Sequence, residues 1–115
     1  MIDLHTHTTA SDGVLTPTQL IEQAAANNIT TVAITDHDTV NGIAEGFEAA
    51  AKFGITLIPG IEISTKAESF ADEIHLVGLF INPQNPELQQ KLELLHNYRE
   101  TRNKKIIEKL KSIEI

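Results

Sequence analysis

The feature that most restricts the fold of this chain is the alternation of short apolar strands with capped helices. Ile2 and Leu4 alternate with Asp3, His5 and His7, which predicts a first strand. Residues 31–35 (TVAIT) predict a buried second strand. Between them, residues 16–19 (TPTQ) combine an N-cap threonine, a proline at the first helical position and a capping-box glutamine. A strand, a helix and a strand in this order predict a parallel pair covered by the helix.

The rest of the chain continues this pattern. The remaining predicted elements are a helix, two strands and a long helix, at residues 41–53, 55–63, 73–80 and 86–113. Gly54 is expected to end the second helix and Asn85 to cap the last one. Residues 66–72 are too few for a crossover helix, so the last two strands are predicted to form a hairpin. The prediction is a single α/β domain over residues 1–115, of order β-α-β-α-β-β-α.

Composition narrows the functional class. Apolar residues make up 41% of the chain, which is typical of a globular protein. The chain has no apolar run of about 20 residues and no recognisable signal peptide, so we expect a cytoplasmic protein without a membrane segment. Cysteine is absent, which excludes disulfides and thiolate metal sites. The net charge of −7 argues against nonspecific DNA binding, although most of the lysines and arginines follow residue 98.

Histidines and acids gather at the predicted ends of strands. His5 and His7 are two residues apart on a strand, so their side chains are expected to leave the same face, and Asp12 follows in a loop. In residues 35–38 (TDHD), His37 directly follows the buried strand. Because α/β folds build their sites at the carboxyl ends of strands, these residues are candidate metal ligands. The alternative is an exposed edge strand followed by acids that only form local turns.

Two further candidates lie on the predicted hairpin. Glu62 is a lone acid among isoleucines; burying it unpaired is costly, whereas it could bridge two cations. His75 lies in an apolar strand that is expected to return beside Glu62 and to place the two side chains level. The alternatives are an outward-facing edge glutamate and a histidine satisfied within the core. His96 has no such neighbours and is expected on a helix surface.

The candidate ligands are nitrogen and oxygen atoms without sulfur, a set that suits manganese, iron or zinc. Adjacent ions of this kind generate hydroxide near neutral pH and clamp a phosphate group. The long helix adds Arg99 and Arg102, which fall within a stripe of leucines and isoleucines at helical spacing. Arginine binds phosphate through two parallel hydrogen bonds, so both are candidates for substrate phosphate. Alternatively, they extend from a domain edge into solvent or pair with acids.

In combination, these motifs resemble the PHP (polymerase and histidinol phosphatase) superfamily. The segments that carry the resemblance are DLHTH, SDG, TDHD, GIE and HLVG, at residues 3–7, 11–13, 35–38, 60–62 and 75–78. The resemblance implies the N-terminal portion of a distorted seven-stranded β/α (TIM-like) barrel with up to three divalent metal ions at one end. It assigns His5 and His7 to the first ion, Glu62 as a bridge from the first to the second, His75 to the second, and Asp12 and His37 to the third.

Within that superfamily, the resemblance is nearest to stand-alone 3′,5′-nucleoside bisphosphate phosphatases that also trim RNA 5′ ends. It implies a metal-dependent phosphoesterase acting on a phosphorylated small molecule or nucleotide, with His37 and Asp38 assisting proton transfer. The alternatives are a noncatalytic or polymerase-associated PHP module and a histidinol-phosphate phosphatase.

The resemblance also predicts that the domain is incomplete. The later histidine and the Asp-x-His motif of the family have no counterpart after His96. The long helix at residues 86–113 would lead toward the helical insertion that follows this region in the subgroup. We therefore expect a chain that self-associates or binds fewer metal ions than the complete family site.

Overall fold

A computed structural model of the chain describes residues 1–66 and 73–112. The strands are β1 (Ile2–Thr6), β2 (Thr31–Ile34), β3 (Thr56–Lys66) and β4 (Glu73–Leu79), and the helices are α1 (Pro17–Ala26), α2 (Ile43–Phe53) and α3 (Pro86–Ser112). The order β-α-β-α-β-β-α confirms the sequence prediction. The chain divides into two compact units, the first from Met1 to Pro83 and the second from Gln84 onward. The connection at residues 67–72 and the predicted helix end at Ile113 lie outside the described residues.

In the first unit, the described strands form one sheet in the order β1-β2-β3-β4. β1 pairs with β2 and β2 with β3 in parallel, whereas β3 and β4 are antiparallel. The two parallel pairs follow from α1 and α2, because a helical crossover returns the chain to the same end of the sheet. The carboxyl ends of β1, β2 and β3 therefore lie along one edge.

Local signals explain where the first two helices begin and end. The Gln19 N–H donates to the Thr16 side chain at 3.1 Å, and the Gln19 side chain accepts from the Thr16 N–H at 3.0 Å, which completes the predicted capping box. α2 begins at Ile43 and ends at Gly54, whose φ of 69° is the left-handed conformation that glycine adopts most readily. Both helices thus have the bounds that the sequence predicted to within two residues.

The core of the first unit lies between the sheet and these two helices. Its buried members come from α1, β2, α2 and β3: Ile21, Ala24, Val32, Ile34, Ile43, Ala49, Ala50 and Leu57. At Gly46 of α2, an added Cβ would lie 2.7 Å from Ile34 Cδ1 and 3.0 Å from Leu57 Cδ2. The missing side chain therefore lets α2 approach the sheet closely, and this packing fixes the strand ends that carry the site.

The outer strands are less covered than the central ones. β2 is buried along Val32–Ile34, as expected for a parallel strand between two others. On β4, which lies at the edge of the described sheet, Leu76 is 58% exposed and Val77 is 42% exposed. These apolar side chains of β4 therefore lack the cover that β2 has.

The second unit contains α3. The Leu88 N–H donates to Asn85 Oδ1 at 3.1 Å, which confirms Asn85 as the cap of this helix. Leu88, Leu92, Leu95 and Arg99 are partly buried along its first half, at the 4-3-4 spacing of one helical stripe, whereas Arg102 is exposed. No helix within the described residues is long and apolar enough to cross a membrane.

Candidate metal centre

The candidate centre is built around the carboxylate of Glu62, which is only 4% exposed. Four imidazole nitrogens face its two oxygens: His5 Nε2 at 2.6 Å from Oε1, and His37 Nδ1 at 2.8 Å, His7 Nε2 at 3.3 Å and His75 Nδ1 at 3.6 Å from Oε2. These histidines come from β1, the segments after β1 and β2, and β4. One buried carboxylate therefore brings together donors from the whole width of the sheet.

Asp12 supplies a second carboxylate on the other side of His7 and His37. Its Oδ1 lies 2.9 Å from His7 Nδ1, and its Oδ2 lies 3.2 Å from His37 Nε2. Each of these two imidazoles thus has one nitrogen turned toward Glu62 and the other toward Asp12. Their ring centroids are 4.3 Å apart. His7 and His37 are shared between the two carboxylates.

The end of β1 and the loop after it place His7 and Asp12. β1 ends at Thr6, so His7 lies just beyond the strand rather than on it, and the pairing with β2 is irregular between Asp3 and Thr6. Despite this, both His5 and His7 reach Glu62. At Gly13 an added Cβ would lie 2.5 Å from the carbonyl oxygen of His7, so only glycine allows the loop to fold back this closely.

A short continuation of parallel pairing beyond β2 places His37 beside Glu62. The Glu62 N–H donates to the carbonyl of Asp36 at 3.0 Å, and the Asp38 N–H donates to the carbonyl of Glu62 at 2.9 Å. These two bonds flank His37 and fix its backbone directly opposite Glu62. The sequence predicted this neighbourhood from the position of the TDHD segment at the end of a buried strand.

His75 reaches the centre through a different register from the predicted one. The predicted position of His75 level with Glu62 is wrong: Val77 is the partner of Glu62, and His75 is the partner of Ser64. An offset of two residues leaves a side chain on the same face of a sheet, because side chains alternate along a strand. His75 therefore still faces Glu62, from a diagonal position.

The electrostatics favour anionic carboxylates. Burial acts to raise the pKa of Glu62, but the positive charges of His37, His5 and His7 outweigh it and hold the pKa below its usual 4.5. Loss of water contact likewise acts to raise the pKa of Asp12, and His7 and His37 again outweigh it, so that the pKa lies below 3.8. Both carboxylates are therefore held in the anionic form, which attracts cations.

The donor set fits metal ions. Three groups of donors, each within 4.8 Å of one another, are His5, His7 and Glu62; His7, Asp12 and His37; and His37, Glu62 and His75. His7 Nε2 is buried and lies 3.3 Å from Glu62, but without hydrogen-bond geometry, so it has no hydrogen-bond partner among the described residues. A metal ion at this nitrogen would satisfy it. All six predicted ligands thus converge, and their binding of metal remains a prediction.

The other candidates have different surroundings. Asp38 adjoins the centre, has a positive φ of 54°, and accepts the Ser64 N–H at 3.2 Å through Oδ1. Arg99 and Arg102 lie on α3 in the second unit, and their phosphate role remains a prediction. Asp36 was considered only as a turn residue, yet its carboxylate is 1% exposed and accepts hydrogen bonds from Thr8. An acid at the end of a buried strand was the signal that could have identified it.

The chain is similar in sequence to a known domain family and to named proteins. The sequence profile of the PHP domain matches residues 3–113. The chain is 44% identical over 113 residues to a 5′-3′ exoribonuclease of Haemophilus influenzae, an alignment that covers 98% of this chain and 40% of that protein. It is 43% identical over 98 residues to a 3′,5′-nucleoside bisphosphate phosphatase of Chromobacterium violaceum, with coverage of 85% and 34% respectively.

Among solved structures, an amidohydrolase from Chromobacterium violaceum with bound sulfate and no metal superposes with a TM-score of 0.84 and 39% identity. The superposition covers 99% of this chain and 39% of that one. The chain therefore spans about two fifths of the length of the curated relatives it matches.

Proposed function

Since the chain belongs to the PHP domain family, we propose that it contributes the metal centre of a metal-dependent phosphoesterase. Its sheet corresponds to the N-terminal part of the TIM-like barrel of that family. The observation that carries the proposal is the arrangement around Glu62, where four imidazoles face one buried carboxylate and Asp12 faces two of them from the other side. This is a dense set of nitrogen and oxygen donors carried by the strands of one sheet and the segments that follow them.

The three overlapping donor groups indicate which residues would hold the ions. Glu62 belongs to two groups and would bridge two ions, one with His5 and His7 and one with His75. Asp12 and His37 would hold the third. Bound divalent ions, which we propose to be manganese, iron or zinc, would lower the pKa of a bound water and neutralise phosphate charge. His37 and Asp38 are proposed to assist proton transfer, because both lie at the bridge between β2 and β3.

The negative charges of Glu62 and Asp12 affect how the centre could bind a phosphate substrate. Glu62 and Asp12 are both anionic, so without cations they repel a phosphate group, and phosphate binding should depend on metal. We propose a phosphorylated nucleotide or small molecule, including RNA 5′ ends, because the relatives are named as an exoribonuclease and a nucleoside bisphosphate phosphatase. Arg99 and Arg102 are proposed to add bidentate hydrogen bonds to a substrate phosphate.

The test begins with metal-free protein. Calorimetric titration with Mn²⁺, Fe²⁺ and Zn²⁺ should show binding by this chain. A chain extended beyond Ile115 should release phosphate from a 3′,5′-bisphosphorylated nucleoside only when one of these ions is added. His7→Ala should abolish both. His96→Ala is the matched control, since His96 lies on α3 and pairs with Glu100 at 3.2 Å.

The outcomes separate the candidate functions. Metal binding with metal-dependent hydrolysis supports the phosphoesterase. Metal binding without hydrolysis of this substrate or of histidinol phosphate by the extended chain favours a noncatalytic PHP module. Absence of metal binding by the unmodified chain contradicts the proposal.

A further inference from the structure

A second buried carboxylate, that of Asp36, lies directly behind the candidate centre. It is 1% exposed and accepts three hydrogen bonds: from the Thr8 N–H at 2.6 Å, the Thr8 hydroxyl at 2.6 Å and the Ser11 hydroxyl at 2.7 Å. Thr8 is itself fully buried. Asp36 belongs to none of the donor groups described above, so its role must lie in what these bonds hold in place.

The three bonds attach the loop after β1 to the end of β2. The Thr35 N–H donates to the carbonyl of Thr6 at 2.9 Å, which is the final backbone contact as the two strands diverge. Past that point, the carboxylate of Asp36 reaches across to Thr8 and Ser11. Within the loop, the Ser11 N–H and the Gly13 N–H both donate to the carbonyl of Thr8, at 3.1 and 2.8 Å. Fixing Thr8 therefore fixes the turn that carries Asp12.

The residues tied together by Asp36 are the sequence neighbours of three candidate ligands, since Thr8 follows His7. His37 follows Asp36, and Asp12 follows Ser11, whose hydroxyl oxygen also lies 3.3 Å from Asp12 Oδ1. The hydrogen bonds from Ser11 and Thr8 to Asp36 therefore help to set the separation of 3.2 Å between Asp12 Oδ2 and His37 Nε2. His5, Glu62 and His75 are positioned by the strands of the sheet and do not depend on this loop.

We infer that Asp36 is a positioning residue that holds Asp12 against His7 and His37 and so sets the affinity of one ion of the proposed metal centre. The inference rests on the proposed function, because it assigns Asp36 a role toward the group of His7, Asp12 and His37. A purely structural role differs in its consequence. With a purely structural role, loss of Asp36 would lower the stability of the fold or weaken the binding of every ion equally. It would not specifically weaken the ion held by His7, Asp12 and His37.

The test compares Asp36→Asn and Ser11→Ala with the unmodified chain by titrating metal-free protein with Zn²⁺. Imidazole ¹H–¹⁵N spectra identify which histidine responds at each step. In Asp36→Asn, the binding step to which His7 and His37 both respond should be about tenfold to a hundredfold weaker, the range typical of lost partners behind a metal ligand. The step reported by His5 should keep its affinity. Ser11→Ala should change the same step by a smaller factor, since the Thr8 bonds remain.

Thr18→Ala is the matched control. The Thr18 hydroxyl donates to Glu45 at 3.0 Å and links α1 to α2, so its loss also removes a hydrogen bond between a hydroxyl and a carboxylate. All Zn²⁺ affinities should remain unchanged in this variant. If Asp36→Asn does not fold, Ser11→Ala, which leaves the buried Thr8 bonds intact, decides between the two roles.

A measurement without metal separates failure of the inference from failure of the proposed function. In metal-free Asp36→Asn, hydrogen exchange at the amides of Ser11 and Gly13 should be faster than in the unmodified chain, while amides of β3 keep their protection. Unchanged exchange at these amides, unchanged Zn²⁺ steps, or equal weakening of all steps overturns the inference. Absence of Zn²⁺ binding by the unmodified chain contradicts the proposed metal centre, and the exchange result then decides whether Asp36 positions the loop.

Discussion

At the scale of single residues, Glu62 has the most partners in the candidate centre. It contributes to two of the three donor groups, whereas Asp12 contributes to one. Glu62→Gln removes the negative charge and replaces a ligand oxygen with an amide nitrogen that cannot coordinate a cation. We expect it to reduce bound metal by more than Asp12→Asn does. Elemental analysis of the dialysed proteins measures this directly.

The control for this prediction is an exposed glutamate. Glu93→Gln, on α3, makes the same chemical change at an exposed side chain and should leave metal content unaltered. Equal metal content in Glu62→Gln and the unmodified chain would contradict the bridging role. A loss in Asp12→Asn as large as that in Glu62→Gln would show instead that the ions bind in one cooperative step.

The pH dependence of the free energy of unfolding of the metal-free chain should also depend on Glu62. Its pKa in the folded chain lies below 4.5, because the charges of His37, His5 and His7 outweigh burial. A lowered folded-state pKa contributes stability above the unfolded value, and this contribution is lost as the pH falls through the folded value. The free energy of unfolding should therefore decline on acidification below about 4.5, and less steeply in Glu62→Gln. Urea unfolding across this range measures both slopes; identical slopes would refute the assignment.

At the scale of elements, much of the fold could be predicted because local chemistry dictates it. The capping box of α1, Gly54 after α2 and Asn85 before α3 are short-range signals, and all three were confirmed. The register of β3 and β4 could not be predicted from such local signals. The position of Val77 opposite Glu62 depends on the length of the β3–β4 connection and on packing. The sequence prediction placed His75 opposite Glu62 instead.

The same distinction applies to the candidate centre. Residues at strand ends could be identified as donors because polar side chains after a buried strand are unusual. The hydrogen bonds of Asp36 could not, since they join residues 28 and 25 positions apart whose proximity arises only in the folded chain. Sequence patterns indicate the candidate donor residues, and the tertiary structure is needed to show what positions them.

The close packing of α2 on the sheet gives a prediction in which two effects oppose each other. Gly46→Ala improves helix propensity by about 1 kcal/mol. Its Cβ would, however, lie 2.7 Å from Ile34 Cδ1, and overpacking in a core costs roughly 1–3 kcal/mol. We expect net destabilisation, measured by urea unfolding. Ala51→Gly, at an exposed position of the same helix, is the control and should cost only about 1 kcal/mol. A more stable Gly46→Ala variant would show that the helix can shift.

The arginines of α3 give a prediction for substrate binding. Lysine retains the positive charge of Arg99 or Arg102 but loses the planar pair of donors that matches a phosphate. If these residues bind substrate, Arg→Lys should raise KM several-fold with little change in kcat. Lys105→Arg, at an exposed position of the same helix, should leave KM unchanged. If the arginines are structural, the melting temperature should fall while KM stays constant.

At the scale of the whole molecule, the chain covers about two fifths of the relatives it matches, yet it contains a set of six converging donors. The centre is therefore assembled largely by one sheet edge. The outer strands of that sheet remain accessible: Ile2 is 62% exposed on β1, and Leu76 is 58% exposed on β4. Apolar side chains on an accessible edge strand favour pairing with another chain.

We therefore expect the 115-residue chain to self-associate. Light scattering should show a mass above that of one chain and rising with concentration, and Leu76→Lys should lower it, because a charge on an edge strand disfavours strand pairing. Thr9→Lys, at an exposed loop position, is the control for added charge. Metal per chain should be below three, because the three donor groups share His7, His37 and Glu62 and so offer six residues rather than nine. A stable monomer with three tightly bound ions would overturn both expectations, and would require ligands beyond these six residues.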